Sequence, residues 1–237
     1  METETLGDPA DPDLACVLGW GNRLDHENVR WLLETLAADS RVTAVQIPIT
    51  VTDFEAGYLD PVREVVDGLD DDYRFVGHST GGLIGAYLRG EAAPATRTYL
   101  SPWWGMVPET AGPIFDLVTR LPISRRVVPV GTADRDALGA LATDRQIREG
   151  PDRAAPTFLR EAARAQAGLA AVDPDPDAVA FCTLTDRIVD PRRVGDRVEA
   201  ERTVLYDGGH ELFSSPSRDE HASTLRAVVR EGPAGLP

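Results

Sequence analysis

The sequence predicts an α/β fold: a mostly parallel sheet flanked by helices, with a helical cap inserted into it. Three observations predict this. Short apolar runs alternate with segments whose apolar residues recur at helical spacing. Such alternation implies parallel strands joined by crossover helices, and hence a sheet covered on both faces. Residues 72–90 run from a strand through a glycine-bounded turn straight into a helix. Residues 102–177 then break the rhythm, with Trp103, Trp104, several prolines and helix-like pieces around 113–121, 134–148 and 156–171.

Taken in order, residues 1–13 are acidic and read as a disordered N-terminal tail. They contain no apolar stretch of the kind a secretory leader needs, and no run in the chain approaches membrane-spanning length. A cytoplasmic protein without a membrane span is expected. Leu14 to Leu18 is a buried strand closed by Gly19. Asp25 is placed to cap a helix whose Val29, Leu32, Leu33, Leu36 and Ala37 share a face. Val42 to Ile47 is a strand ended by Pro48, and residues 53–68 are helical, with Asp60-Pro61 a candidate cap and first position. Tyr73 to Val76, Thr96 to Leu100, Ala178 to Thr183 and Thr203 to Tyr206 are further strands; Arg126–Val130 is ambiguous. Asp190-Pro191 opens a short helix, and residues 217–230 form the last one. The expected division is a core of residues 14–101 and 178–237 around a helical cap of residues 102–177.

The net charge of −15 argues against nucleic-acid binding. The chain has no lysine: all 24 basic residues are arginine. A carboxylate-rich, lysine-free surface suits a halophilic protein kept hydrated in concentrated salt. Cys16 and Cys182 fall in buried strands and read as core residues, and no Cys/His spacing suggests a metal site.

The chemistry centres on Gly77-His78-Ser79-Thr80-Gly81. A G-x-S-x-G between a strand and a helix forces a sharp turn with the serine in a strained conformation. Side chains two before and two after it would collide, hence glycine at both places. The serine hydroxyl then projects above the sheet edge at a helix N-terminus, where backbone N–H groups favour developing negative charge.

Three segments together resemble the α/β-hydrolase family, in the branch of esterases, monoacylglycerol lipases and lysophospholipases. They are the elbow Gly77-His78-Ser79-Thr80-Gly81-Gly82, the segment Thr183-Leu184-Thr185-Asp186-Arg187-Ile188-Val189, and the loop Asp207-Gly208-Gly209-His210-Glu211-Leu212-Phe213. The order Ser79, Asp186, His210 is the one that fold uses. The family's first two antiparallel strands have no counterpart here, so a reduced sheet of about six strands is expected. The resemblance implies a serine hydrolase of small carboxylic esters that needs no metal or organic cofactor. Ser79 is the nucleophile, His210 the base and Asp186 the acid that orients it. The backbone N–H groups of Thr80 and Trp20 form the oxyanion hole.

The residue types suit those roles. A serine hydroxyl is a poor nucleophile until a base takes its proton, and imidazole titrates near neutrality. Of the four histidines, only His210 sits in a glycine-rich loop directly after a strand. Asp186 lies just beyond a strand end, whereas Asp190 precedes Pro191 and has a capping task. Trp103, Trp104 and Met106, with Trp20, are candidates to line an apolar acyl pocket. Packing between cap and sheet would use the same aromatic residues. Two alternatives share these residues: an acyltransferase or thioesterase with the same triad, and a non-catalytic ligand-binding protein on the same fold.

Overall fold

The computed structural model describes residues 1–108, 112–130 and 134–237. The chain begins with β1 (Glu2–Leu6), β2 (Asp13–Val17), α1 (Glu27–Leu36) and β3 (Arg41–Gln46). Next come α2 (Asp60–Val66), β4 (Arg74–His78), α3 (Thr80–Gly85) and β5 (Thr96–Leu100). Between β5 and β8 lie α4 (Pro113–Thr119), β6 (Val128–Pro129), α5 (Arg135–Leu138), α6 (Asp144–Glu149), β7 (Arg153–Ala154) and α7 (Pro156–Gly168). β8 (Val179–Cys182), α8 (Arg192–Gly195), β9 (Thr203–Leu205) and α9 (Arg218–Glu231) complete it.

The main sheet has seven strands in the order β1-β3-β2-β4-β5-β8-β9. Every pairing is parallel except β1 with β3, which runs antiparallel from Glu2↔Gln46 to Leu6↔Val42. The expectation of a disordered tail is therefore corrected. Residues 2–6 form an edge strand, and this strand takes the sheet from the expected six to seven.

The pleat of β2 divides the core. Leu14, Cys16 and Leu18 face α1 and α9, packing with Leu32, Leu33, Val76, Phe181, Leu225 and Val228. Ala15 and Val17 face the other way, with Phe75, Tyr99, Tyr58, Leu83 and Phe158. Successive side chains on a strand point to opposite faces, so a sheet covered by helices on both sides must be apolar throughout. All five residues of β2 are buried accordingly.

One helix start departs from expectation, and another falls within the stretch 53–68 expected to be helical. His26, not Asp25, occupies the position before α1 and makes no capping bond; Asp25 instead faces Arg23 and Arg145. The α2 segment begins earlier than Pro61: Asp53 accepts from the Ala56 N–H at 2.8 Å, and a wide helical turn over Glu55–Leu59 leads into the helix. In residues 102–177, α4 and α7 each begin with a proline in the first turn, where its missing N–H is unneeded. The ambiguous stretch near 126–130 forms a two-residue ladder with β7. Among the described residues, no helix is long and apolar enough to cross a membrane.

Candidate active site

Ser79 stands between β4 and α3 with φ 50° and ψ −113°. Non-glycine residues seldom hold a positive φ, and the conformation costs about 1–3 kcal/mol that the surroundings must offset. Three hydrogen bonds fix it. Its N–H donates to the Leu100 carbonyl at 3.0 Å, and its own carbonyl accepts from Leu83 at 3.1 Å and Trp103 at 2.9 Å. The turn also brings the backbone of α3 hard against β2. A Cβ on Gly81 would lie 2.0 Å from the Val17 carbonyl oxygen, and one on Gly77 2.7 Å from the Gly81 oxygen. Both obstacles are main chain, which cannot rotate away. Gly81→Ala is therefore expected to lower stability by about 1–3 kcal/mol or more, as overpacking does. A urea melt checks this; an unchanged midpoint would contradict the packing described.

Asp186 lies in the loop after β8 and His210 in the loop after β9, at the same edge of the sheet as Ser79. Asp186 Oδ1 accepts from the Ile188 and Val189 N–H groups at 2.8 and 2.9 Å. Asp186 Oδ2 is 2.8 Å from His210 Nδ1. A carboxylate only accepts, so Nδ1 carries the proton and Nε2 is left bare. Burial works against the charged form of each partner. For Asp186 it is outweighed by the His210 charge and hydrogen bond and by the two backbone donors, which hold its carboxyl below the usual range. For His210 it is outweighed by the charge and hydrogen bond of Asp186, with Glu211 adding, so the imidazole is raised above its ordinary value.

The histidine loop is braced from two sides. The His210 and Glu211 N–H groups donate to Ala137 and Leu138 of α5, both at 2.8 Å. The Tyr206 hydroxyl sits 2.8 Å from the carbonyls of Gly209 and His210, and 2.9 Å from Ser101 Oγ. Its one proton goes to the carbonyls, so Ser101 donates to the phenol oxygen. Gly209 packs so closely on α5 that a Cβ would lie 2.6 Å from the Leu138 carbonyl carbon.

Ser79, Thr80, His210, Trp20, Trp103 and Met106 all line one cavity of about 670 Å³. That size lies within the usual range for small-molecule sites. Thr80 is the first residue of α3, so its N–H is among those a helix leaves unpaired at its start. Trp20 is held by its indole N–H, which donates to the Ile49 carbonyl at 2.7 Å, and by stacking on Phe158 with ring centres 5.0 Å apart. Trp104 is the correction. It does not line the cavity but is buried against Tyr99, ring centres 4.8 Å apart, with its indole N–H on the Gly82 carbonyl at 3.1 Å. It supports the elbow helix from behind.

The sequence reading missed much of the wall. Phe115 and Val118 of α4, Phe158 and Leu159 of α7, and Ile188 supply apolar surface, and Arg187 stands among them. The helical periodicity of residues 113–121 and 156–171 was visible, but not which face would turn to a cavity. Asn22, His78 and Glu211 also reach it. His78, inside the elbow, is 2% exposed, and its imidazole is held well below its ordinary value, first by burial and then by the His210 charge.

Asp25, His26 and Glu149 place ligand atoms within 4.8 Å of one another, away from this cavity. Arg23 and Arg145 already pair with both carboxylates, so a cation would have to displace two guanidinium groups.

Known proteins bear on this geometry as follows. A family model described as the alpha/beta hydrolase family matches residues 12–222. Among solved structures, a monoacylglycerol lipase of Paleococcus ferrophilus superposes with a TM-score of 0.72 at 16% identity, covering 99% of this chain and 98% of that one. A soluble variant of the Saccharomyces cerevisiae monoglyceride lipase, in complex with a substrate analog, gives 0.73 at 15% identity, with 97% and 90% covered. A thioesterase domain from the curacin biosynthetic pathway gives 0.59 at 16% identity, with 96% and 94% covered. At these identities the likeness is one of fold. No curated protein matches the sequence. The family match spans nearly the whole chain, and the chain belongs to the alpha/beta hydrolase family.

Proposed function

We propose that this chain is a serine hydrolase of small carboxylic esters carrying an apolar acyl chain. The observation that supports it most is the pairing of His210 Nδ1 with the doubly backbone-bonded carboxylate of Asp186, in a cavity that also exposes the strained Ser79. In this reading, Ser79 Oγ attacks the ester carbonyl while His210 Nε2 takes its proton. The Trp20 and Thr80 N–H groups meet the oxyanion, where preorganised donors do most for the rate. The tetrahedral adduct collapses, His210 returns the proton to the leaving alcohol, and a water activated by the same imidazole frees the acid. Asp186 keeps the proton on Nδ1 and stabilises the imidazolium. Monoacylglycerols belong in the substrate class to be tested, since two of the structural neighbours carry that activity in their names.

An ester series from acetyl to palmitoyl, with thioester counterparts, tests the class. Each methylene moved from water onto the apolar wall contributes about 0.8 kcal/mol, or about fourfold. kcat/KM is expected to climb by that step until the acyl chain fills the cavity. A flat profile, or acetyl as the best substrate, would contradict an acyl-binding role for the wall.

The same reaction has a signed pH dependence. Only neutral His210 accepts a proton, and its pKa lies above the ordinary 6.5. kcat/KM is therefore expected to fall as pH drops through a midpoint above 6.5 and to level off on the alkaline side. A midpoint well below that value would contradict the assigned base.

A further inference from the structure

A buried acid beside the base is left without a task by this reaction. Glu211 follows His210 directly and is 2% exposed. Its carboxylate is met by three neutral donors from three segments. Asn22 Nδ2 reaches Oε1 at 2.7 Å; Gln146 Nε2 and Ser214 Oγ reach Oε2 at 2.6 and 2.5 Å.

The direction of these bonds does not depend on how the amides are assigned. Arg218 can only donate, so Asn28 must turn Oδ1 toward it, at 3.0 Å. The Asn28 amide nitrogen then faces the Leu141 carbonyl at 2.7 Å and Gln146 Oε1 at 3.3 Å. That obliges Gln146 to present its NH2 group to Glu211. On the other side, Asn22 gives its NH2 to Glu211 and keeps Oδ1 for His78 Nδ1, at 2.9 Å. His78 therefore carries its proton on Nδ1. Its ring centre lies 5.0 Å from that of His210, and it directly precedes Ser79.

We propose that Glu211 is a positioning residue for the hydrolase reaction. Its buried charge favours the imidazolium that His210 becomes as Ser79 attacks, and its bond to Asn22 fixes the neutral tautomer of the neighbouring His78. The proposal rests on the Ser79–His210 reading. His210 is faced by four groups: Asp186 on Nδ1, His78 beside the ring, Tyr206 on its carbonyl, and Glu211. Asp186 sets the orientation through a direct bond. Glu211 makes no bond to the His210 ring and acts through charge and through His78. In the interior such a charge is less screened than it would be in water.

The test is an imidazole titration of the full chain by 15N-histidine NMR, comparing wild type, Glu211→Gln and Glu211→Asp. Glu211→Gln is expected to lower the His210 midpoint by about one pH unit, the effect of removing a nearby buried charge. The acid limb of kcat/KM should move the same way, with kcat down about tenfold and KM changed by less than about twofold. Glu211→Asp keeps the charge and should bring the midpoint most of the way back. A role in packing alone would not move the midpoint, so an unchanged His210 titration in folded Glu211→Gln overturns the proposal. Should that variant not fold, wild type decides: His78 must show the Nδ1–H tautomer, and Nε2–H would overturn it. The titration uses no substrate. Failure of the hydrolase reading would show separately, as a wild-type Ser79 that no fluorophosphonate labels.

Discussion

Ser79→Ala is expected to abolish ester turnover while leaving the fold intact. The loss should be about four to six orders of magnitude in kcat, as for other serine nucleophiles removed from a triad. The fold survives because the elbow is held through main-chain bonds to Leu100, Leu83 and Trp103, none of which uses the hydroxyl. Alanine inherits the strained φ, but no buried partner of the side chain is lost. Some rate over water should remain, since the oxyanion donors and the cavity are untouched. Steady-state kinetics with a circular dichroism melt read both quantities. Retention of more than roughly a tenth of the wild-type rate would rule out Ser79 as nucleophile.

The second large effect is expected at Asp186. Two backbone N–H groups point at Oδ1, so an asparagine there keeps its oxygen toward them. Its NH2 group then replaces Oδ2 and faces His210 Nδ1. Nδ1 must turn acceptor, the ring proton moves to Nε2, and the base can no longer receive the Ser79 proton. Asp186→Asn should thus lower kcat by about four orders of magnitude with little change in stability. Asp190 is the control. Its Oδ1 accepts from the Arg192 N–H at 3.1 Å, the turn-closing task that its place before Pro191 predicts. Asparagine performs that task too, so Asp190→Asn should be near wild type in rate, and Asp190→Ala should cost about 1 kcal/mol of stability. An inactive Asp190→Asn beside an active Asp186→Asn would reverse the assignment.

Much of the frame was legible because the physics is local. β2, β4 and β8 are buried along almost their whole length, and a buried strand announces itself by composition. β1 could not be read this way. Glu2-Thr3-Glu4-Thr5-Leu6 is an edge strand whose side chains are mostly in solvent, and only Leu6 packs on the core. What holds it is the backbone ladder to β3, to which hydropathy is blind. Asp25 failed as a cap because Arg145, 120 residues away, claims its carboxylate.

The site divides along the same line. The elbow, Asp186 and His210 each lie just beyond a strand end, where motif and spacing are legible. Trp103 and Trp104 are neighbours of one type, yet one packs toward Phe158 in the cavity wall and the other toward Tyr99 in the core. Only the positions of α7 and β5 separate them. The bond between Asn22 and Glu211 joins residues 189 apart, and no local pattern carries it.

The measurement that tests the central claim most directly is covalent labelling by a fluorophosphonate, read by intact mass and peptide mapping. The account predicts one adduct per chain, on Ser79. It should form fast in wild type, be absent in Ser79→Ala, and form far more slowly in Asp186→Asn. A folded wild-type protein that takes no label, or takes it on another residue, would contradict it.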